Sequence, residues 1–260
     1  PEALAQPDRY DLDITIRGDT TIERTWVEPS FEHIATVSEG NDYTLHNPFV
    51  GEVNDDGTAY IVDFEDRRIK AFTSSGEYIA TYGEGPGPNP GEITQPTDIG
   101  LQGDSLVYVA DPQLRKVSHF AQDGSFVRVD RYETSPYQVA WTDASVQYIV
   151  RPAPEHPPFM QMTTPDREQQ VALPLSIESP VMLDGTLHSI GDKAVFVMRY
   201  LPVMLTYSPD DLAGTAFPTP DYGEDLPSPQ RGGRMVPQMA LNGQSTVSGG
   251  TLSIQVPASE

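Results

Sequence analysis

Two aspartates each stand four residues before an arginine, Asp63 before Arg67 and Asp111 before Arg115. Carboxylates stacked at one repeated position would hold a cation. The same spacing also suits a turn, in which Asp accepts from backbone N–H groups of a loop and Arg ties that loop to its neighbour. Recurrence at one place in a repeat makes the turn the expected role. The five histidines (His33, His46, His119, His156, His188) show no H-x-H or H-x-x-x-H spacing, so the sequence gives no reason to expect zinc. No G-x-S-x-G elbow is present, which disfavours a serine hydrolase. The glycine-rich stretch "YGEGPGPNPGEITQP" (82–96) invites comparison with a phosphate cradle. It has no lysine, it places Glu84 and Glu92 where an anion would sit, and its prolines have no N–H to donate. It reads instead as a long crossover between pieces of sheet.

The elements that must carry these residues come from a repeat. "GTAYIVDFEDRRIKAFTSSGEYIATYG" from Gly57 aligns with "SLVYVADPQLRKVSHFAQDGSFVRVDR" from Ser105. Tyr60 and Tyr108, Asp63 and Asp111, Arg67 and Arg115, Ile69 and Val117, Phe72 and Phe120, and Gly76 and Gly124 fall in one register, the second number of each pair exceeding the first by 48. Weaker copies follow, in which Tyr148 succeeds Tyr108 at an offset of 40 and Phe196 succeeds Tyr148 at an offset of 48. Each unit reads as β-branched and aromatic strands bounded by turn residues, preceded by a Pro-led strand: "PFVGEV", "PTDIGL", "PYQVAW". Four short strands in about 40–48 residues make a propeller blade. The fold expected is all-β: a β-propeller of four-stranded antiparallel blades.

In a propeller the Pro-led strands line the central channel. The polar residues expected there are Asp98 and Gln138, with Val50 in the equivalent first position and His188 and Gln238 in looser equivalents. They would form either a ligand or cation site at the channel mouth or a water-filled axis with satisfied polar groups.

From Gly51 to Arg131 the chain resembles an NHL-type repeat: a strand ending in Asp, an Arg-hydrophobic pair, an aromatic, a Gly turn, then "GEGPGPNPGEITQP". The resemblance implies a six-bladed propeller of bacterial envelope type whose usual function is binding. The residues supply blades at 48–95, 96–135, 136–183 and 184–234, with a partial last blade at 235–260. Strands within 1–47 would help close the ring, or the native chain would continue past Glu260.

Composition narrows the partners. There are 38 acidic against 16 basic residues, a net charge of −22, and lysine occurs only at Lys70, Lys116 and Lys193. Such an acidic, lysine-poor surface suits a halophile, with an ordinary acidic secreted protein as the alternative, and either way disfavours nucleic acid and anionic membrane. With no cysteine, disulfides and thiolate chemistry are excluded. No apolar run approaches the roughly 20 residues of a membrane-spanning helix. Two loops stand out, "RPAPEHPPF" (151–159) and the long stretch at 208–237, which reads either as a solvated excursion or as a partner contact with Phe217, Tyr222, Arg231 and Arg234 as its candidate residues. The expected protein is an extracytoplasmic, monomeric binding module for a protein, peptide or glycan. A propeller enzyme with a channel metal, of lyase or lactonase type, is the alternative, and a structural domain of a longer protein is a third. No cofactor is evident, and Ca²⁺ is the one cation considered.

Overall fold

The structure is a computed structural model. It describes residues 42–150 apart from 104 and 145, residues 160–173 apart from 165, and residues 184–218 apart from 200–202. It also describes scattered positions between 33 and 40 and the strand backbones at 230–231, 234–235, 245–248 and 251–254.

Four four-stranded antiparallel sheets follow one another along the chain, each an up-and-down meander. The first blade is β1 (Pro48–Val53), β2 (Ala59–Asp63), β3 (Arg68–Phe72) and β4 (Tyr78–Tyr82). The second is β5 (Asp98–Gln102), β6 (Leu106–Asp111), β7 (Lys116–Ala121) and β8 (Phe126–Arg131). The third is β9 (Gln138–Trp141), β10 (Gln147–Val150), β11 (Met160–Thr163) and β12 (Glu168–Val171). The fourth is β13 (Gly185–Ile190), β14 (Lys193–Met198), β15 (Val203–Ser208) and β16 (Asp211–Pro218). Two strand pairs follow, β17 (Gln230–Arg231) with β18 (Arg234–Met235) and β19 (Ser245–Ser248) with β20 (Thr251–Ile254). The leading strands β1, β5, β9, β13 and β19 touch in succession. The sheets therefore stand as radial blades around an axis, which is a β-propeller.

Strict alternation gives each blade two apolar faces, and these faces glue the blades together. Tyr60 and Val62 on the front of the first blade meet Ile99, Val107 and Val109 on the back of the second. Tyr108 and Ala110 meet Val139 and Ile149 of the third, and Tyr148 and Val150 meet Leu187, Phe196 and Met198 of the fourth. Burial of one such large side chain is worth about 1.5–3 kcal/mol. Phe196 is thus on a back face, whereas Tyr148 is on a front face. The offset of 48 that matched them is corrected to 47, which pairs Phe196 with Ile149, because one residue of slip moves a strand's side chains to the other face.

The glycine-rich stretch between β4 and β5 is the crossover to the second blade. Its own backbone closes it, with Glu84 N–H donating to Gly91 O (3.0 Å) and Ile93 N–H to Gly85 O (2.9 Å). Gly85 and Gly91 take φ of 104° and 82°, which L side chains rarely adopt. Ile93 is fully buried. The buried Lys116 ammonium donates to Asn89 O (3.1 Å) and Glu92 O (2.7 Å).

The loop expected at 208–237 begins as sheet. Phe217 lies in β16 opposite Met204, and Arg231 and Arg234 pair with each other across β17 and β18. The alternation Leu212, Gly214, Ala216 extends the strand, with Gly214 left bare for the Tyr207 ring. Tyr222, Gln238 and the stretch 151–159 lie outside the described residues.

Candidate functional site

The innermost strand of each blade has one edge with no neighbour, so its N–H and C=O groups need partners. Side chains of the preceding blade supply them. Asp98, the first residue of β5, accepts through Oδ2 from Val139 N–H of β9 at 2.8 Å. The Tyr108 hydroxyl, from β6, donates to Val139 O. Its ring lies over Gly100, where a Cβ would fall within 2.2–3.0 Å of it. One blade on, Gln138 donates through Nε2 to Gly185 O (2.7 Å) and accepts through Oε1 from Leu187 N–H (2.9 Å). Asp98 and Gln138 are therefore equivalent in role as well as register, each tying its blade to the next.

Sequence reasoning missed Glu52. It stands on β1 opposite Tyr60, the position that Gly100 occupies opposite Tyr108. Attention to the first position of each Pro-led strand led to Val50 and passed over the polar residue two places further on the same face. Burial pushes the Glu52 carboxyl up to about 7, with the Val53 backbone hydrogen bond opposing. Burial also pushes Asp98 up to about 8; Val139 and Ile99 N–H groups oppose, and the Glu52 charge adds to the rise. Both carboxyls raise Tyr108 further beyond its burial effect. Asp98 keeps some accessible surface although protein surrounds it, as expected of a side chain open only toward a narrow axis. The Glu52 charge is felt at Asp98, so the two carboxyls titrate as an interacting pair. His188, on β13, is half-buried, and burial lowers it to about 4. Among the described residues no group of three or more His, Asp or Glu side chains is placed to hold a metal ion.

The two Asp/Arg pairs sit at the crossover end of the blades. Buried Asp63 accepts from His46 N–H (2.8 Å), Asn47 N–H (3.0 Å) and Glu65 N–H (3.1 Å). These bonds, with the nearby Lys70 ammonium, hold its pKa below the usual value against the opposing pull of burial. Asp111 likewise accepts hydrogen bonds from Thr94 N–H (2.7 Å) and Leu114 N–H (3.3 Å). His46 and Thr94 hold the same place in successive repeats, so each aspartate grips the chain as it enters the blade. Arg67 and Arg115 both adopt left-handed backbone, φ 57° and 51°. Their side chains differ: Arg115 donates to Glu133 O (3.2 Å), whereas the Arg67 guanidinium lies 3.8 Å over the Phe64 ring. Tyr137, 39% exposed, lies at the same end, at the entry to β9.

The second blade breaks the repeat between itself and the third. His119, Arg128 and Asp130 stand where the first blade has Ala71, Ala80 and Tyr82 and the third has Met162, Gln169 and Val171. The fully buried His119 bonds Asp130 Oδ2 through Nε2 at 2.8 Å. Arg128 bonds Asp130 Oδ1 (3.2 Å) and Gln102 Oε1 (2.9 Å). His119 Nδ1 and Trp141 Nε1 are buried without a protein partner, and their rings meet edge to face at 6.0 Å.

No protein-family model matches the chain, and no curated protein matches it. Solved structures do. A candidate exported protein from Bacteroides fragilis superposes with TM-score 0.55 at 12% identity, over 70% of this chain and 52% of that one. A member of the DUF4221 family from Bacteroides vulgatus gives 0.52 at 9% identity, over 72% and 62%. Virginiamycin B lyase from Staphylococcus aureus gives 0.47 at 14% identity, over 66% and 55%, too low to carry an argument. These identities bear on fold alone. The chain spans between about half and two thirds of the length of the structures it matches.

Proposed function

We propose that this chain is a binding and scaffold module of the cell envelope, a propeller that presents a protein, peptide or glycan partner with its crossover end. One observation carries the reading: the polar residues of the innermost strands with described bonds, Asp98 and Gln138, are engaged with the backbone of the next blade. Groups held in this way stiffen a ring. The crossover end of the same ring carries the exposed Tyr137 and the Phe64–Arg67 stack, residue types that anchor interfaces. An NHL-like ring of six blades, a halophilic source and an extracytoplasmic setting belong to the same reading. They are supported by the repeat pattern, by the charge of −22 and by the exported description of the Bacteroides fragilis neighbour.

A second reading, a channel cation such as Ca²⁺ serving an enzyme, would draw on Glu52 and Asp98. One experiment separates the two. The purified protein is assayed for metal and melted with Ca²⁺, Zn²⁺ or EDTA in molar KCl, then screened against glycan and peptide arrays. Saturable array binding that Tyr137→Ala abolishes, with a melting point indifferent to EDTA, supports the module. Stoichiometric metal whose removal lowers the melting point overturns it in favour of the channel site.

A further inference from the structure

The first three blades are entered by the same three-residue step at the crossover end. The registers place Val50 opposite Val62, Asp98 opposite Ala110 and Gln138 opposite Val150. Immediately before these positions stand "NPF" (47–49), "QPT" (95–97) and "SPY" (135–137). Because β1, β5 and β9 touch in succession, the three steps lie side by side around the mouth of the axis. The Thr97 hydroxyl donates to Tyr137 O at 2.8 Å and ties the second step to the third. None of these residues is charged, in a chain with a net charge of −22. The acids beside them are engaged or balanced. Asp98 accepts from Val139 N–H, Asp184 at the entry to the fourth blade pairs with Arg199 at 3.4 Å, and Glu133 lies beside Arg115, which donates to its carbonyl oxygen. A partner recognised by charge would be basic and would find its counter-charges elsewhere on this acidic chain. The mouth offers it none.

The backbone of the three steps is already bonded. Tyr137 N–H donates to Val150 O (3.0 Å), and Thr97 N–H donates to Ala110 O (3.1 Å). Asn47 N–H donates to Asp63 Oδ1 (3.0 Å), and Asn47 O accepts from Phe64 N–H (2.8 Å). An extended peptide that binds by adding itself to a strand edge finds these groups occupied. The side chains are what remain. Asn47, Gln95, Ser135 and Tyr137 are exposed, and among the described residues their side chains have no hydrogen-bond partner. Primary amides and hydroxyls donate and accept alike. The ligand groups that answer them in both senses without charge are alcohols. The Tyr137 ring adds a flat apolar face with a polar tip. A sugar ring carries both complements, a row of hydroxyls and a flat C–H face.

We propose that the crossover-end mouth of the axis binds an uncharged oligosaccharide, with Tyr137 stacked on the C–H face of one sugar ring and Asn47, Gln95 and Ser135 bonded to hydroxyls. This inference rests on the binding-module reading and narrows its partner to one chemical class.

The protein is titrated with neutral polysaccharides (dextran, mannan, arabinoxylan and a β-glucan), with polygalacturonate and chitosan as acidic and basic counterparts, and with a peptide array. Each titration is run at low salt and in molar KCl, with melting curves to show that the protein is folded in both. Saturable binding to at least one neutral polymer is expected, with a Kd that changes less than about twofold between the two salts, because no charge is paired. Tyr137→Ala should weaken it by at least about tenfold, and Asn47→Ala and Gln95→Ala by about three- to tenfold each. Val127→Ala, on the exposed outer strand β8, should leave the Kd unchanged. Absence of saturable binding to every neutral polymer overturns the proposal, as does neutral-polymer binding that Tyr137→Ala leaves intact or that weakens by about tenfold or more in molar KCl. Tyr137-dependent binding confined to peptides, polygalacturonate or chitosan would overturn the oligosaccharide and leave the binding module standing. No binding to any probe, together with stoichiometric metal, would remove both.

Discussion

If Glu52 and Asp98 are neutral in the folded ring, the protein should lose stability as pH rises from about 4 to about 8, and Asp98→Asn should abolish much of that loss. Both carboxyls are raised in the folded state, from 4.5 to about 7 and from 3.8 to about 8. Their stabilising contribution is therefore complete below about pH 4 and is lost as pH climbs through 7 and 8. At about 1.4 kcal/mol per unit, the Asp98 shift alone would be worth about 6 kcal/mol with no relaxation. The carboxylate keeps surface toward the axis, where water can rehydrate it, so the expected loss is smaller, about 2 kcal/mol. Part of it is shared with Glu52, because the two groups titrate as a pair. Asparagine has the shape of the protonated acid, and its Oδ1 can still accept from Val139 N–H. The assay is urea unfolding at pH 5.5 and pH 9 in molar KCl, which screens the acidic surface. Asp98→Asn should match the wild type at pH 5.5 to within about 1 kcal/mol and exceed it by about 2 kcal/mol at pH 9. Parallel pH curves for the two proteins would mean that Asp98 is ionised throughout, and the argument from its burial would be wrong.

Tyr108→Phe removes the donor to Val139 O from a buried site and should cost about 1–3 kcal/mol in urea unfolding. Gly100→Ala places a methyl group against the Tyr108 ring and should cost about 1–3 kcal/mol, with the penalty reduced in the Tyr108→Ala background. Replacing His119, Arg128 and Asp130 together by Met, Gln and Val, the third-blade residues, should be neutral or stabilising by about 1–4 kcal/mol, whereas Asp130→Val alone should destabilise. Thermal melting should shift upward between low salt and molar KCl, as screening relieves the repulsion of a −22 chain; a flat or falling midpoint would contradict the halophile reading.

The blades were legible because Tyr60 and Tyr108, or Gly76 and Gly124, sit at fixed offsets that the sheet needs for cross-strand packing and hairpin turns. The register failed at Phe196, where a large apolar residue suits either face and no Asp or Arg landmark fixes the count. Phe217 reads as a loop residue because Gly214 and the prolines beyond it look like turn signals, although Gly214 makes room for Tyr207. Asp98 and Gln138 were visible as polar residues after proline, but their role was not. What they bond is the edge of the next strand, far along the chain, and no local pattern marks a free strand edge. Glu52 was hidden because its partner in space, Asp98, belongs to another blade and another register position.

The departures from the repeat share one location. Asp98 on the inner strand β5 and Tyr108 on its neighbour β6 both end on Val139 of the third blade, and the Glu52 charge on β1 acts on both. The His119–Asp130–Arg128 group lies on the same front face of the second blade, with the Tyr108 and His119 rings 6.2 Å apart and Trp141 on the facing blade. The joints on either side of the second and third blades are dominated by Tyr, Val, Ile, Leu, Met and Phe. A repeat needs only apolar contact to stack, and apolar contact fixes neither the distance nor the slide between two sheets tightly. Hydrogen bonds that end on named backbone atoms do. At the joint between the second and third blades those bonds run from Asp98 and Tyr108 to Val139, and at the next joint from Gln138 to Gly185 and Leu187. Among the described joints, the Asp98 bond to Val139 N–H is the carboxyl bond that crosses between blades, so a change in charge at Asp98 acts directly on it.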